Sequence, residues 1–237
     1  MNHMANVGGD KYRSYLTPED LKTTKWQAGP PNYDAVNKLF EDGRTKVWPE
    51  GSLEEQVQNF VKTWEMEIVH KADPNQYKTL DPQKFVIGIN GKKFFTLPEI
   101  IKVGGSYNMF LHTSVPPSLR LFDPDQETYD SSQTAFKATF ARGFALEILQ
   151  VYSGPPVICY KFRHWGYMEA PFQGHEPTGE LIEFFGTAVF ELDENSKVVK
   201  IEFFFDRGEL LSALIKGKKS DESASEAPSV SGCPFMA

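Results

Sequence analysis

The stretch 165–215, WGYMEAPFQGHEPTGELIEFFGTAVFELDENSKVVKIEFFFDRGELLSALI, decides the fold. Its apolar residues alternate with period two over two long runs, which break at Asp193-Glu194-Asn195-Ser196 and end in an apolar helical pattern. Upstream, 145–152 and 157–168 keep the same period on either side of Gly154-Pro155-Pro156. Strands are therefore expected at 145–152, 157–168, 179–191 and 198–205, joined as an antiparallel meander. In the last of them Val199, Ile201, Phe203 and Phe205 share one face, while Lys200, Glu202 and Phe204 share the other. One face is dry, so something covers it. A curved antiparallel sheet closed by a helix makes a cone with one apolar mouth, a shape suited to a small molecule.

Helices precede this sheet. Ser52 and Glu55 form an S-x-x-E box ahead of Leu53, Val57, Phe60, Val61, Trp64 and Ile68, one stripe of a long helix. A second helix is expected from Thr96, with Ile100, Val103, Tyr107 and Phe110 on one face and Gly104-Gly105 weakening its middle. A third is expected over 131–142. Between the first two, Asn90-Gly91 marks a hairpin over 85–96. Helices followed by an antiparallel sheet give an α+β layer fold: a cone-shaped curved antiparallel sheet wrapped by helices. The expected organisation is an N-terminal arm at 1–51 that packs on the core, the α+β cone at 52–216, and a polar, disordered tail at 217–237.

Composition narrows the function. The chain has 237 residues, 19 of them Phe, so aromatic side chains are abundant enough for a thick core or an aromatic-lined cavity. A net charge of −7 argues against a nucleic-acid surface, which would need clustered Lys and Arg to neutralise phosphates, and no nucleic-acid partner is expected. There is no signal segment and no apolar run long enough to span a membrane, with Met4 read as the natural start. Cys159, in a strand, and Cys233, in the tail, are poor disulfide partners, which fits a reducing cytosol. Single, scattered histidines give no metal site, and neither a phosphate loop nor a dinucleotide fingerprint is present, so no cofactor is expected.

The run GYMEAPFQGHEPTG at 166–179, followed by strand, acidic turn, strand and DRGELLSAL, resembles the closing half of SnoaL-like proteins in the nuclear transport factor 2-like superfamily. With KYRSYL, KWQAGPPNY and WEMEIVHKADP, nearly the whole chain is similar to the plant pathogen-related proteins of that superfamily. The resemblance implies a cone-shaped α+β barrel, a homodimer through the outer sheet face and a plant source. It does not imply one activity, because this superfold hosts cyclases, dehydratases, isomerases and binding proteins. Many SnoaL-like cyclases carry a His-Trp-Asp run in the last strand; this chain has Ile201-Glu202-Phe203 there, so the resemblance implies that the usual acid is missing.

Four residues are candidates for catalysis: His164, Tyr107, Asp206 and His112. His164 shares a strand face with Ile158, Tyr160 and Phe162, an apolar setting for either a neutral proton shuttle or a hydrogen-bonded structural histidine. Asp206 stands at the end of the last strand as a general base, or as the first member of a D-x-x-E helix cap. Tyr107 lies on the apolar stripe of its helix, whereas His112, five residues on, points elsewhere. Trp64, Tyr160, Phe162, Phe203 and Tyr167 are candidate ligand contacts, and His70 is expected at the carbonyl end of its helix. Alternation alone leaves open which sheet face looks into the cone. Two functions follow: a cofactor-independent cyclase, isomerase or dehydratase of plant specialised or defence metabolism acting on a hydrophobic metabolite, or a ligand-binding partner protein without turnover.

Overall fold

The computed structural model describes residues 9–220; Met4, Cys233 and the tail beyond Ser220 lie outside them. Six strands, β1 (Val86–Ile89), β2 (Phe94–Thr96), β3 (Ala145–Ser153), β4 (Val157–Tyr167), β5 (Leu181–Leu192) and β6 (Val198–Phe205), form one sheet. Their order is β2-β1-β6-β5-β4-β3, so the sheet is curved but unclosed. The expected meander is β3 to β6, antiparallel throughout. The sheet as a whole is mixed, because β1 runs parallel to β6, with Ile87 opposite Ile201 and Ile89 opposite Phe203. That pairing joins distant segments and has no local sequence signal.

Curvature has identifiable causes. Irregular register in β3, at Ile148/Gln150 and Val151/Ser153, and between β5 and β6 at Glu191/Leu192 bends the strands. At the middle of β5, a Cβ on Gly186 would stand 2.4 Å from Phe162 Cζ and 2.7 Å from the Phe204 carbonyl oxygen. Only glycine lets the Phe162 ring lie across that strand.

The helices are α1 (Pro18–Thr23), α2 (Asp34–Gly43), α3 (Leu53–His70), α4 (Leu97–Lys102), α5 (Gly105–Leu111), α6 (Tyr129–Thr139) and α7 (Arg207–Leu214). Helix α3 starts as its sequence predicts: the Ser52 side chain accepts from Glu55 N, although Glu55 accepts from Gly51 N rather than from Ser52 N. Its stripe of Val57, Val61 and Trp64 packs on Ile148, Tyr160 and Phe190 of the concave face. The helix expected from Thr96 is instead two, α4 and α5. Gly104 and Gly105 have φ of 86° and 87°, left-handed values that an uninterrupted α-helix cannot contain. Helices α5, α6 and α7 enclose a second cluster around Phe122, Phe136, Phe140 and Phe172.

The opposite face of β4 is covered by the N-terminal segment. Tyr12, Leu39 and Phe40 bury Trp165 from that side. Glu147 on β3 accepts from the backbone N–H groups of Thr45 and Lys46, and Arg163 donates to the Gly43 carbonyl at 3.0 Å and to Glu183 at 2.6 Å. At the other end of the described chain, residues 217–220 lie along the loop at 172–176, with His175 Nδ1 2.9 Å from the Gly217 carbonyl oxygen. That pairing corrects the expectation that disorder begins at residue 217. Among the described residues no helix is long and apolar enough to cross a membrane.

Candidate functional site

Between the concave sheet face and the helices lies a cavity of about 410 Å³. Alternation along β4 sends Tyr160, Phe162 and His164 into it, and β5 and β6 add Phe184, Phe203 and Phe205. Helix α3 contributes Trp64, Glu65 and Ile68, α5 contributes Tyr107, and α6 contributes Phe136 and Lys137. The face left open by the sequence is thereby fixed: even-numbered positions of β4 line the cavity, and the odd-numbered Arg163 and Trp165 meet the N-terminal segment.

Several titratable groups face this apolar space, among them Glu65, His164, Tyr160, Tyr107 and His70. Glu65 lines the cavity, half-buried, and makes no hydrogen bond or ion pair among the described residues. Burial raises its pKa, and the charges of Arg13 and Lys62 only partly oppose that. The His164 ring packs against Phe144 and Phe184, with centroids 5.3 and 5.4 Å away and planes within 15° and 14° of parallel, and the two phenyl rings are themselves 5.8 Å apart. Burial lowers its pKa to about 3, helped by the Lys62 charge and countered by a backbone interaction with Ala145. The ring is neutral at physiological pH, and its Nδ1 is buried without a hydrogen-bond partner. Tyr160 Oη and Trp64 Nε1 are likewise buried without partners. Tyr107 stacks on Phe136 at 4.4 Å, and burial raises its pKa and that of Tyr160. His70 is driven down to about 4 by burial and then by the Lys137 and Arg13 charges.

The candidates from the sequence divide cleanly. His164, Tyr107, Trp64, Tyr160, Phe162 and Phe203 all line the cavity. Asp206 does not: its side chain accepts from Gly208 N at 2.7 Å and caps α7. Nor does His112, whose residue ends α5 and whose ring meets Phe95 edge-on at 5.7 Å. Tyr167 is on the outer face beneath the Arg142 guanidinium, 4.4 Å from its ring centroid, because odd positions of β4 point outward. His70, expected to serve the helix carbonyl end, instead lines the cavity, edge-on to Tyr33 at 5.7 Å.

Glu65 is the cavity-lining carboxyl the sequence reading missed. It lies four residues after Val61 and three before Ile68, inside the stripe that those residues define. A carboxylate interrupting an apolar stripe is the signal that could have found it. Tyr33 and Arg13 were also missed, since they reach the cavity from the N-terminal segment. Among the described residues no group of three or more His, Cys, Asp or Glu side chains could hold a metal ion.

No family model matches the chain. It is 50% identical over 235 residues to the pathogen-related protein of Hordeum vulgare, a match that covers 98% of this chain and 97% of the relative. Among solved structures it is similar to a protein from Acidithiobacillus ferrooxidans named as a polyketide cyclase. That match has 12% identity and a TM-score of 0.41, and covers 72% of this chain and all (100%) of the other. A protein from Jannaschia named as a SnoaL-like polyketide cyclase matches at 14% identity and a TM-score of 0.39, covering 73% and 100%. A nuclear transport factor 2-like protein from Burkholderia thailandensis matches at 14% and 0.31, covering 56% and 76%.

Proposed function

The chain belongs to the pathogen-related protein family, and from that premise we propose that it binds a hydrophobic metabolite and acts on it as a cofactor-independent acid/base enzyme. One observation carries this reading: Glu65, an unpartnered carboxyl with a raised pKa, stands in an apolar cavity beside buried polar groups that lack protein partners. Structural carboxylates in protein interiors are paired, because an unpaired one costs several kcal/mol. A functional carboxyl is kept unpaired for a substrate.

In this mechanism the Glu65 carboxylate takes a proton from a carbon next to a ligand carbonyl. The electron pair moves to the carbonyl oxygen, where the Tyr107 or Tyr160 hydroxyl donates a hydrogen bond to the developing charge. Return of the proton from Glu65 to another carbon isomerises the ligand, with no atom gained or lost. A raised pKa suits both steps, since the group must give the proton back. His164 is a weak base with a pKa near 3, and its role in this reading is to hold the ligand.

A non-catalytic binding protein is the second reading. It is favoured by Phe203, which packs edge-on against Phe110 and Phe162 where SnoaL-like cyclases carry an acid. The two separate in one experiment. The protein is incubated with a leaf metabolite extract, the retained compound is identified by mass spectrometry, and that compound is returned to the protein in D2O. Deuterium entering a C–H position supports the enzyme; a retained compound that never exchanges supports the binding protein. The reading also includes a homodimer through the uncovered part of the outer sheet face, where Phe185 and Phe204 are exposed.

A further inference from the structure

The cavity is polarised along its length. Its enclosed end is walled by the fully buried Tyr160 with Trp64 and Phe203, whereas exposed residues at Asn32, Lys137 and Arg142 frame its mouth. Helix α3 orders the groups between: His70 at the mouth is five residues beyond Glu65, about 7.5 Å along the axis. Most cations here are already engaged. Arg142 pairs with Glu169 at 2.7 Å, and Arg13 pairs with Asp10 at 3.2 Å and donates to Asn37 at 2.8 Å. Lys137 has neither an ion pair nor a hydrogen bond among the described residues, yet its charge acts on His70 across the mouth. Arg13, 4% exposed and also in the cavity wall, keeps its Nε buried without a partner.

Resting on the reading of this cavity as a ligand site, we propose that the ligand is an apolar carboxylate, seated with its carboxylate at the mouth against Lys137 and its apolar body against the aromatic end. The reverse orientation would place the anion beside Glu65 in a low-dielectric space, where like charges repel strongly. A chain of net charge −7 does not attract anions as a whole, so selection for one has to come from the Lys137 charge at the mouth.

Decanoate and decan-1-ol share an apolar body and differ in the head group, and calorimetric titration of both measures the preference directly. The wild type is expected to bind decanoate about fivefold more tightly, the effect of one partly exposed charge pair. Lys137→Met should abolish the preference and leave decan-1-ol affinity unchanged, and added salt should narrow the preference in the wild type. Lys137 also lies in the last turn of α6, where it favours the helix carbonyl end. If that is its whole role, Lys137→Met lowers the melting temperature and the preference survives, which overturns the proposal. Equal wild-type affinities for the two probes overturn the carboxylate alone and leave the ligand site standing. Failure of both probes to bind overturns the ligand site and the proposal with it.

Discussion

Replacing His164 with Phe and lowering the pH from 7.5 to 5.0 probes the enclosure of the cavity. In the folded chain His164 packs against Phe144 and Phe184 with its pKa at about 3, against an ordinary value of 6.5. Between those values the unfolded chain takes up a proton that the folded chain refuses. Stability is therefore fully present above pH 6.5 and declines as the pH falls. At pH 5.0 the unfolded histidine is 1.5 pH units below its pKa, and at about 1.36 kcal/mol per unit the folded state loses about 2 kcal/mol. His164→Phe removes this loss. Nδ1 has no partner to strand and the interaction lost is that with the Ala145 backbone, so the variant should stay within about 1 kcal/mol of the wild type at pH 7.5. Urea unfolding of both proteins at both pH values isolates the residue, since His70, Glu65 and the surface carboxylates are common to the two. The wild type should lose about 2 kcal/mol more than the variant on acidification, or about 4–8 °C in melting temperature. Equal losses would mean that His164 titrates as if in water, and that the aromatic cluster around it does not exclude solvent.

Three further outcomes follow from local geometry. Gly186→Ala drives a methyl into the Phe162 ring and the Phe204 carbonyl, and should lower stability by about 1–3 kcal/mol in thermal melts. Tyr160→Phe removes a hydroxyl that has no protein partner, so melting should stay unchanged while affinity for the captured metabolite falls about 3- to 10-fold by calorimetry. Glu147→Gln weakens the acceptor of the Thr45 and Lys46 N–H groups and the ion pair to Arg163; a loss of about 2–3 kcal/mol is expected, with faster proteolysis of the N-terminal segment.

Strands β3 to β6 were legible because each alternates over eight or more residues and ends at a turn signal, and α3 because Ser52 caps a continuous stripe. The β1–β6 pairing was not, since it rests on tertiary contact between segments more than a hundred positions apart. His164, Tyr160 and Phe162 could be placed on one face of β4. Nothing local said that this face was the inner one, because the outer face is equally dry where Phe40 and Tyr12 cover Trp165. Glu65 escaped because one carboxylate in an amphipathic helix is ordinarily a solvated residue. Its burial depends on α5, α6 and the segment around Tyr33, which meet α3 only in the folded chain. Asp206 and His112 have the right chemistry but sit at helix ends, where the Asp206 side chain accepts from Gly208 N and the His112 ring packs on Phe95.

The most direct test is the turnover of the captured metabolite by wild type and Glu65→Gln. If Glu65 moves the proton, kcat falls by about 10²- to 10⁴-fold while the dissociation constant changes only a few-fold. A Glu65→Gln protein that turns the metabolite over at the wild-type rate would contradict the account.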